Sequence, residues 1–423
     1  MKKANLVLTA ALAAAGLVSV VGGSLVPATA VAAAAKKNQV SEKVLKPLKA
    51  AQDAMTAKNW DEAMVHIQEA QAVEGRTAFD DFTINDFAWF VLYQKKQMPE
   101  AAAALEQVVN SGFVPPEVLP QRLKAVMQLN LAAKNYAKAI EYGNKYLALN
   151  PGDQESALQL AQAMYLMKDY AGAKAAAEKL VASGGKPSED ALKLLLRSNM
   201  DLKDDPGALQ ALEGLVRYYP QPKYWKDLLN YQLFRTKDER SLRALYRLMS
   251  DTGTLEKGED YTEMGSSLIT GGFPTEAKQV LERAMAANVL QGDAKSRAQA
   301  DLNRARTQAA ADAKDLPNAD KALATAKSGN EMVATGKLYF SAGDYAKAAD
   351  AITKGLAKGG VTDVGDANLL LGIAYARGGK GAEAAAALGA VKDPKLTDVA
   401  RLWKLKLEAD AAPPAAAPAP ATG

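Results

Sequence analysis

The chain has 423 residues, with 52 lysines and arginines against 48 aspartates and glutamates, one histidine and no cysteine. The missing cysteine excludes disulfide scaffolds, zinc ribbons and thiol nucleophiles, and a single histidine excludes any site that needs two imidazoles. A net charge of +4 is too mild for a dedicated nucleic-acid binder, and 6% aromatics beside abundant alanine favour close-packed helices over sheets.

The first element is a leader. Met1-Lys2-Lys3 is followed by an apolar stretch from Leu6 to about Val26 and by small residues from Pro27 to Ala35. That is the order of a secretory signal peptide. Ala28-x-Ala30 supplies a cleavage motif, so residues 1–35 are expected to be removed by cleavage between Ala30 and Ala35 and the protein exported to the bacterial periplasm. Gly16, Ser19, Gly22, Gly23 and Ser24 dilute the apolar stretch, which argues against a retained membrane anchor. Losing Lys2 and Lys3 lowers the charge from +4 to +2. Residues 36–42 read as a polar lead.

From residue 43 one grammar repeats: an apolar helix, a short polar break, an aromatic-x-x-Ala step and a second amphipathic helix. Trp60-Asp61-Glu62-Ala63, Tyr136-Ala137-Lys138-Ala139, Tyr170-Ala171-Gly172-Ala173 and Tyr345-Ala346-Lys347-Ala348 are the clearest copies. Weaker copies place the small residue at Ala101, Ala208, Ser241, Ala277 and Ala384, so the successive spacings are 38, 38, 34, 35, 33, 36, 71 and 36. A period in this range predicts stacked helix pairs. The doubled gap assigns residues 292–328 to a degenerate helical unit without the aromatic step, between repeats over 43–291 and 329–395. The polar stretch Glu74–Asn85 reads as a lengthened connection, and Pro115, Pro116 and Pro120 break the chain between the second and third units. Leu396–Ala409 reads as a helix capping the apolar end, with 396–410 as its range, and 411–423 as a disordered Ala/Pro tail.

The step Leu338-Tyr339-Phe340-Ser341-Ala342-Gly343-Asp344-Tyr345-Ala346-Lys347-Ala348, the run Leu371-Gly372-Ile373-Ala374-Tyr375 and the ending Asn150-Pro151 resemble tetratricopeptide repeats. The resemblance covers roughly residues 42–410. It implies an all-α, right-handed superhelical solenoid of about ten helix pairs, working as a protein-binding scaffold. Small residues such as Ala139, Ala173, Ala348 and Gly372 would let paired helices approach, and Tyr136, Tyr170 and Tyr345 would fill the gaps between units. A looser resemblance runs through Tyr218-Tyr219-Pro220-Gln221-Pro222-Lys223-Tyr224-Trp225 and Gly271-Gly272-Phe273-Pro274. These residues are similar to proteobacterial repeat proteins that accompany TonB-type energy-transduction components, which implies an accessory role there.

No catalytic residue, metal ligand set or cofactor motif is found. The chain has no nucleophile elbow, phosphate-binding glycine loop or dinucleotide fingerprint. His66 reads as a partly exposed helix residue, and the acid pairs Asp80/Asp81, Asp204/Asp205 and Glu259/Asp260 as helix caps. A non-enzymatic scaffold is therefore expected, with a periplasmic carrier or cell-wall carbohydrate binder as the alternative. In the resembled family the first helix of each pair lines the groove. Residues spaced for one helical face give a candidate partner-binding row: Gln121, Lys124 and Gln128; Glu155, Gln162 and Tyr165; Lys193 and Arg197; Lys223, Lys226 and Asn230. The chemistry suits an acidic or polar protein segment. Arg240, Arg243 and Arg247 are expected to face outward from a second helix and to offer an alternative basic surface.

Overall fold

The computed structural model describes residues 39–411. The expected signal peptide and residues 412–423 of the expected tail lie outside the described residues. Every regular element among the described residues is a helix. One compact unit comprises the described residues up to Gly185 together with Arg197–Lys203; a second comprises Lys186–Leu196 and the described residues from Asp204 onward.

The first unit stacks four hairpins: α1 (Glu42–Thr56) with α2 (Trp60–Gln71), α3 (Ala78–Gln94) with α4 (Met98–Asn110), α5 (Leu119–Ala132) with α6 (Tyr136–Leu149), and α7 (Gln154–Leu166) with α8 (Tyr170–Ala182). Helix α9 (Glu189–Asp201) is divided between the units at Leu196. The second unit continues with α10 (Asp205–Tyr218), α11 (Pro222–Arg235), α12 (Glu239–Asp251), α13 (Gly258–Thr270) and α14 (Pro274–Ala286). It ends with α15 (Gly292–Asp315), α16 (Ala319–Thr325), α17 (Gly329–Ala342), α18 (Tyr345–Lys358), α19 (Val364–Arg377), α20 (Gly381–Gly389) and α21 (Thr397–Ala411). Taken in order these are ten pairs and a terminal helix. The eighth pair is irregular, with α15 running 24 residues and a 3₁₀ turn over Leu316–Asn318 carrying Pro317 ahead of a seven-residue α16.

Local chemistry sets where the helices start. Asp153, Asp169, Asp204, Asp238, Asp344 and Asp363 each accept a backbone N–H two or three residues on, which satisfies an otherwise orphaned donor. The stretch Glu74–Asn85 differs from its expectation as a connection, because α3 already begins at Ala78. Thr77 and Asp80 form a reciprocal capping box there, and Asp80 also accepts the Ser41 backbone N–H at 2.8 Å. Burial pushes the Asp80 carboxyl up, but those hydrogen bonds outweigh it and hold it below the usual range. Its buried position made a polar run structural rather than solvated.

Packing follows the small residues. Ala63, Ala101, Ala139 and Ala173 in the first unit, and Ala277, Ala348 and Ala384 in the second, are 0% exposed at the helix crossings. At Gly372 even one extra methyl group is too much: a Cβ there would lie 2.5 Å from Leu388 Cγ. A hairpin leaves an apolar stripe that it cannot cover alone and that its neighbour buries, the logic of a repeat array.

The end of the chain departs from a simple cap. Helix α21 packs on α20, and also returns to α10, α12 and α19. Trp403, 1% exposed, donates its indole N–H to the Ala244 carbonyl at 3.0 Å. This enclosure corrects the expectation for Arg240, Arg243 and Arg247. Arg243 and Arg247 are 7% and 3% exposed, and Arg240 is tied to Asp238, Asp363 and Asp393 at 2.7–2.9 Å. The outward basic surface assumed an open array, in which the far side of α12 meets water. Ala244, Leu245, Tyr246, Leu248 and Met249 beside these arginines are all buried, and a helix apolar on that many sides belongs inside.

Candidate partner-binding surfaces

The residues of the expected row divide into two kinds. Gln121, Glu155 and Gln162 are exposed and Gln128 is half-buried, on the first helices α5 and α7 of two consecutive hairpins. Gln121 and Gln128 lie seven residues apart, as do Glu155 and Gln162, so each pair shares one face two turns apart. Among the described residues none of the three glutamines hydrogen-bonds another side chain. Tyr165 is half-buried; its hydroxyl donates to Asp201 at 2.6 Å and its ring packs on Tyr170. That hydrogen bond, with burial, raises the phenol's pKa.

The lysines behave differently. Lys124 Nζ lies 2.8 Å from Asp153, and the Tyr146 hydroxyl donates to the same carboxylate oxygen. Burial pushes Asp153 up, but Lys124, the Ser156 backbone and hydroxyl, and Tyr146 together hold it well below the carboxylate range. Because Asp153 also caps α7, Lys124 is a tie between hairpins. Lys193 is 3.1 Å from Glu189 and 3.3 Å from Asp190, Lys223 is 3.7 Å from Glu189, and Lys226 is 2.5 Å from Glu256. Arg197 is exposed and Asn230 half-buried. The N-cap residues Asp204 and Asp238 fix the repeat register. Counting eleven residues back from each, Lys193 corresponds to Asp227, so Lys226 sits one position off that row. A charged wall is therefore largely neutralised from within, and the amides remain the groups free to bind.

A site that sequence reasoning missed lies inside the second unit. Glu276 is 8% exposed and accepts from Arg247 through both oxygens, at 2.7–3.1 Å, and from Arg377 at 2.8 Å. Arg377 also grips Asp251 with two N–H groups at 3.0 Å. Burial raises the Glu276 pKa, but the two guanidiniums overcome it and hold the carboxyl at about 2. Burial likewise opposes the Arg377 charge, while Glu276 and Asp251 keep it protonated. Arg247 stacks on Phe273 and Phe340, 4.2 and 4.8 Å from their centroids, a cation–π arrangement strengthened by desolvation. Beside this cluster opens a cavity of about 460 Å³ whose walls include Glu276, Arg283, Tyr345, Arg377, Trp403 and Lys406. Lys406 pairs with Asp410 at 2.5 Å, whereas Arg283 makes only a 3.4 Å bond to the Ser250 hydroxyl among the described residues. The cluster joins residues up to 126 positions apart, so no local spacing announced it; the one hint was that Arg243 and Arg247 alternate with the apolar run Ala244, Leu245, Tyr246, Leu248 and Met249.

His66 sits on α2, 2.9 Å from Glu69, in keeping with a solvated helix residue. No group of three or more potential metal ligands occurs among the described residues, and no helix among them is long and apolar enough to cross a membrane.

Known structures with similar folds include a tetratricopeptide repeat protein from Parabacteroides merdae (12% identity, 79% of this chain and 100% of that one, TM-score 0.29). Naa15/Naa10 bound to HypK-THB is 16% identical over 86% of this chain and 61% of that one, with a TM-score of 0.41. The TPR2AB domain of yeast Sti1 in its pHSP90 complex is 17% identical over 62% and 98%, with a TM-score of 0.32. No curated protein matches the sequence. Residues 132–215 match the family model of anaphase-promoting complex (cyclosome) subunit 3, and residues 333–395 match the tetratricopeptide repeat model. Together with the helix pairs of the fold, these two matches support tetratricopeptide-type repeats in this chain.

Proposed function

We propose that the chain is an exported, non-enzymatic scaffold of the bacterial periplasm that holds a polar segment of a partner protein. The observation that carries this reading is the amide row of the first unit: Gln121, Gln128 and Gln162 stand on consecutive first helices with their carboxamides unengaged by other side chains. A carboxamide both donates and accepts, so such a row pairs with the main chain of an extended segment whatever that segment's charge. The internal neutralisation of Lys124, Lys193 and Lys226 supports a polar partner over a strongly acidic one. The leader sequence supports export, and the resemblance around Tyr218–Trp225 supports an accessory place beside TonB-type transport components. The test is a photocrosslinking residue placed at Gln128 or Gln162 in cells, followed by mass spectrometry. Crosslinked partners lost in the Gln121→Ala, Gln128→Ala, Gln162→Ala triple variant support the reading, and an unchanged partner set removes the amide row from it.

The cavity of the second unit favours a second reading, a carrier of small anionic ligands, because Arg283, which makes no ion pair among the described residues, stands at its wall, where Lys406 and Arg377 are already paired with Asp410, Asp251 and Glu276. Equilibrium dialysis of inorganic phosphate and of a simple dicarboxylate against wild type and Arg283→Ala tests that alternative directly.

A further inference from the structure

The second unit holds another cavity, of about 810 Å³, within the size range of pockets that take small ligands. Its walls come from the first turns of α10 (Asp205, Pro206, Leu209), the last turns of α11 (Tyr231, Gln232, Arg235), residues 236–241 at the start of α12 and residues 394–399 around the start of α21. The return of α21 encloses it. The Ser241 hydroxyl donates to the Lys395 carbonyl at 2.5 Å across 154 positions of sequence, and α21 packs on α10 and α12. These wall residues are distinct from those of the cavity beside Glu276.

Two polar side chains of the wall are buried, Ser241 and Gln232, and they differ in state. Ser241 already donates its proton to Lys395, whereas Gln232, 8% exposed, has a carboxamide with no hydrogen-bond partner among the described residues. A buried amide left unpaired costs free energy, so Gln232 points to a partner from outside the chain. The charges of the wall select no sign. Arg235, Lys237, Arg240 and Lys395 face Asp205, Asp238, Glu239 and Asp398, four of each. Arg235 pairs with Asp205 at 3.3 Å and Asp398 with Arg401 at 3.4 Å, while Arg240 holds Asp238 together with Asp363 and Asp393. Lys237, Glu239 and Lys395 are exposed and have no ion-pair partner among the described residues, so the free rim carries both signs. Pro206, Leu209, Tyr231, Pro394 and Val399 supply apolar wall between these groups.

We propose that this cavity binds a neutral saccharide. The balanced wall gives no net attraction to a small anion or cation, and the buried free group is a neutral carboxamide. A carboxamide matches two adjacent ring hydroxyls, its N–H donating to one oxygen while its carbonyl accepts from the other. The rim favours hydroxyls as well. A hydroxyl accepts from Lys237 or Lys395 and donates to Glu239 with equal ease, whereas each peptide N–H or C=O serves one of those partners alone. Tyr231 accepts from Arg235 at 3.2 Å, which leaves its own phenol proton to donate, and its ring with Leu209 covers the C–H face of a sugar. This site is independent of the amide row of the first unit.

Calorimetric titration of the full chain with cellobiose, maltotriose and N,N′-diacetylchitobiose tests the proposal. At least one of the three should bind, with an affinity that salt leaves unchanged. Gln232→Met keeps the length of the side chain and deletes its donor and acceptor. Because the carboxamide has no partner in the fold, the variant should melt at or above the wild-type temperature, yet bind the sugar about tenfold more weakly or worse. Amide hydrogen exchange of the wild type supplies a readout that needs no variant: the sugar should protect residues 205–209, 231–241 and 394–399. Binding of none of the three sugars, protection confined to other segments, or equal affinity in Gln232→Met overturns the proposal. Tighter binding of glucose 6-phosphate or of glycylglycine than of any neutral sugar overturns it too, in favour of an anion or a zwitterion.

Discussion

Both units are assembled from the same helical hairpin, yet they are tied together over very different distances. In the first, the side-chain bonds between hairpins join residues no further apart than one repeat: Ser41 to Asp80, Arg122 to Asp86, Lys124 to Asp153, Lys138 to Glu106 and Tyr165 to Asp201 span 29–39 positions. In the second, Arg377 reaches Glu276 and Asp251 across 101 and 126 positions, Trp403 reaches Ala244 across 159, and Arg217 reaches Glu408 across 191. Nearest-neighbour ties make stability a sum of repeats, so one hairpin can open while others persist. Long-range ties make α12, α14, α19 and α21 stand or fall together. The first unit is built to yield locally and the second to resist.

The strongest way to break that contrast is to remove the keystones of the second unit. Trp403→Ala deletes a fully buried indole and is expected to cost about 3–5 kcal/mol. Calorimetry should show the second unit's transition moving down while the first unit's stays in place. A uniform shift of both would mean that the units do not unfold independently. Glu276 sharpens the comparison through pH. Its carboxyl is held at about 2 in the fold against 4.5 for a free side chain, so its stabilisation is present above pH 4.5 and lost as pH falls toward 2. The full effect is about 3 kcal/mol. Glu276→Gln should therefore be much less stable than wild type at neutral pH, and the gap should close on acidification. In the first unit, Asp86 has the opposite sign. It is buried beside one guanidinium, that of Arg122, and accepts the Trp89 indole N–H at 2.9 Å, and burial outweighs both and raises its pKa, so acidification relieves rather than weakens it. One arginine per buried carboxylate is too few there, whereas two suffice in the second unit.

A smaller effect is expected from Ala139→Leu, which crowds a crossing where Ala139 is 0% exposed. Overpacking of this kind costs about 1–3 kcal/mol. Amide exchange should accelerate in α5 to α7 and remain unchanged in α1 and α2, as nearest-neighbour coupling requires.

The same division explains what could be read from the residues alone. The hairpins were legible because their signals are local: an aromatic-x-x-Ala step, an aspartate cap, a proline after a helix. Residues 292–328 were set apart by the doubled gap between aromatic-x-x-Ala steps, and a 3₁₀ turn over Leu316–Asn318 carries Pro317 within them. The return of α21 was not legible, because Trp403 and Ala244 carry no mark of each other and a capping helix has the same sequence pattern as a closing one. Arg243 and Arg247 were misplaced for that reason. For the candidate row, helical spacing states which residues share a face but not which of them are already paired. Helical spacing puts Lys124 and Gln128 on one face, but the carboxylate that neutralises Lys124 comes from Asp153, 29 residues on.

The smallest effects lie in the turns, and there the two units can be exchanged residue for residue. Gly343 has φ 88°, and a Cβ built on it meets nothing within 4 Å. Gly343→Lys therefore tests backbone strain alone, with no steric term. The left-handed penalty is about 1–2 kcal/mol, and about 0.4–1 kcal/mol returns because lysine restricts the unfolded chain more than glycine does. The net cost should be roughly 1 kcal/mol or less. Lys134, at φ 60°, gives the mirror experiment, and Lys134→Gly should stabilise by a similar small amount. Urea midpoints with unchanged slopes would read both values. Opposite signs at the two positions would establish that the first unit carries Lys134 against a local folding preference, whereas equal signs would trace the difference to the surroundings of each turn instead of to its backbone.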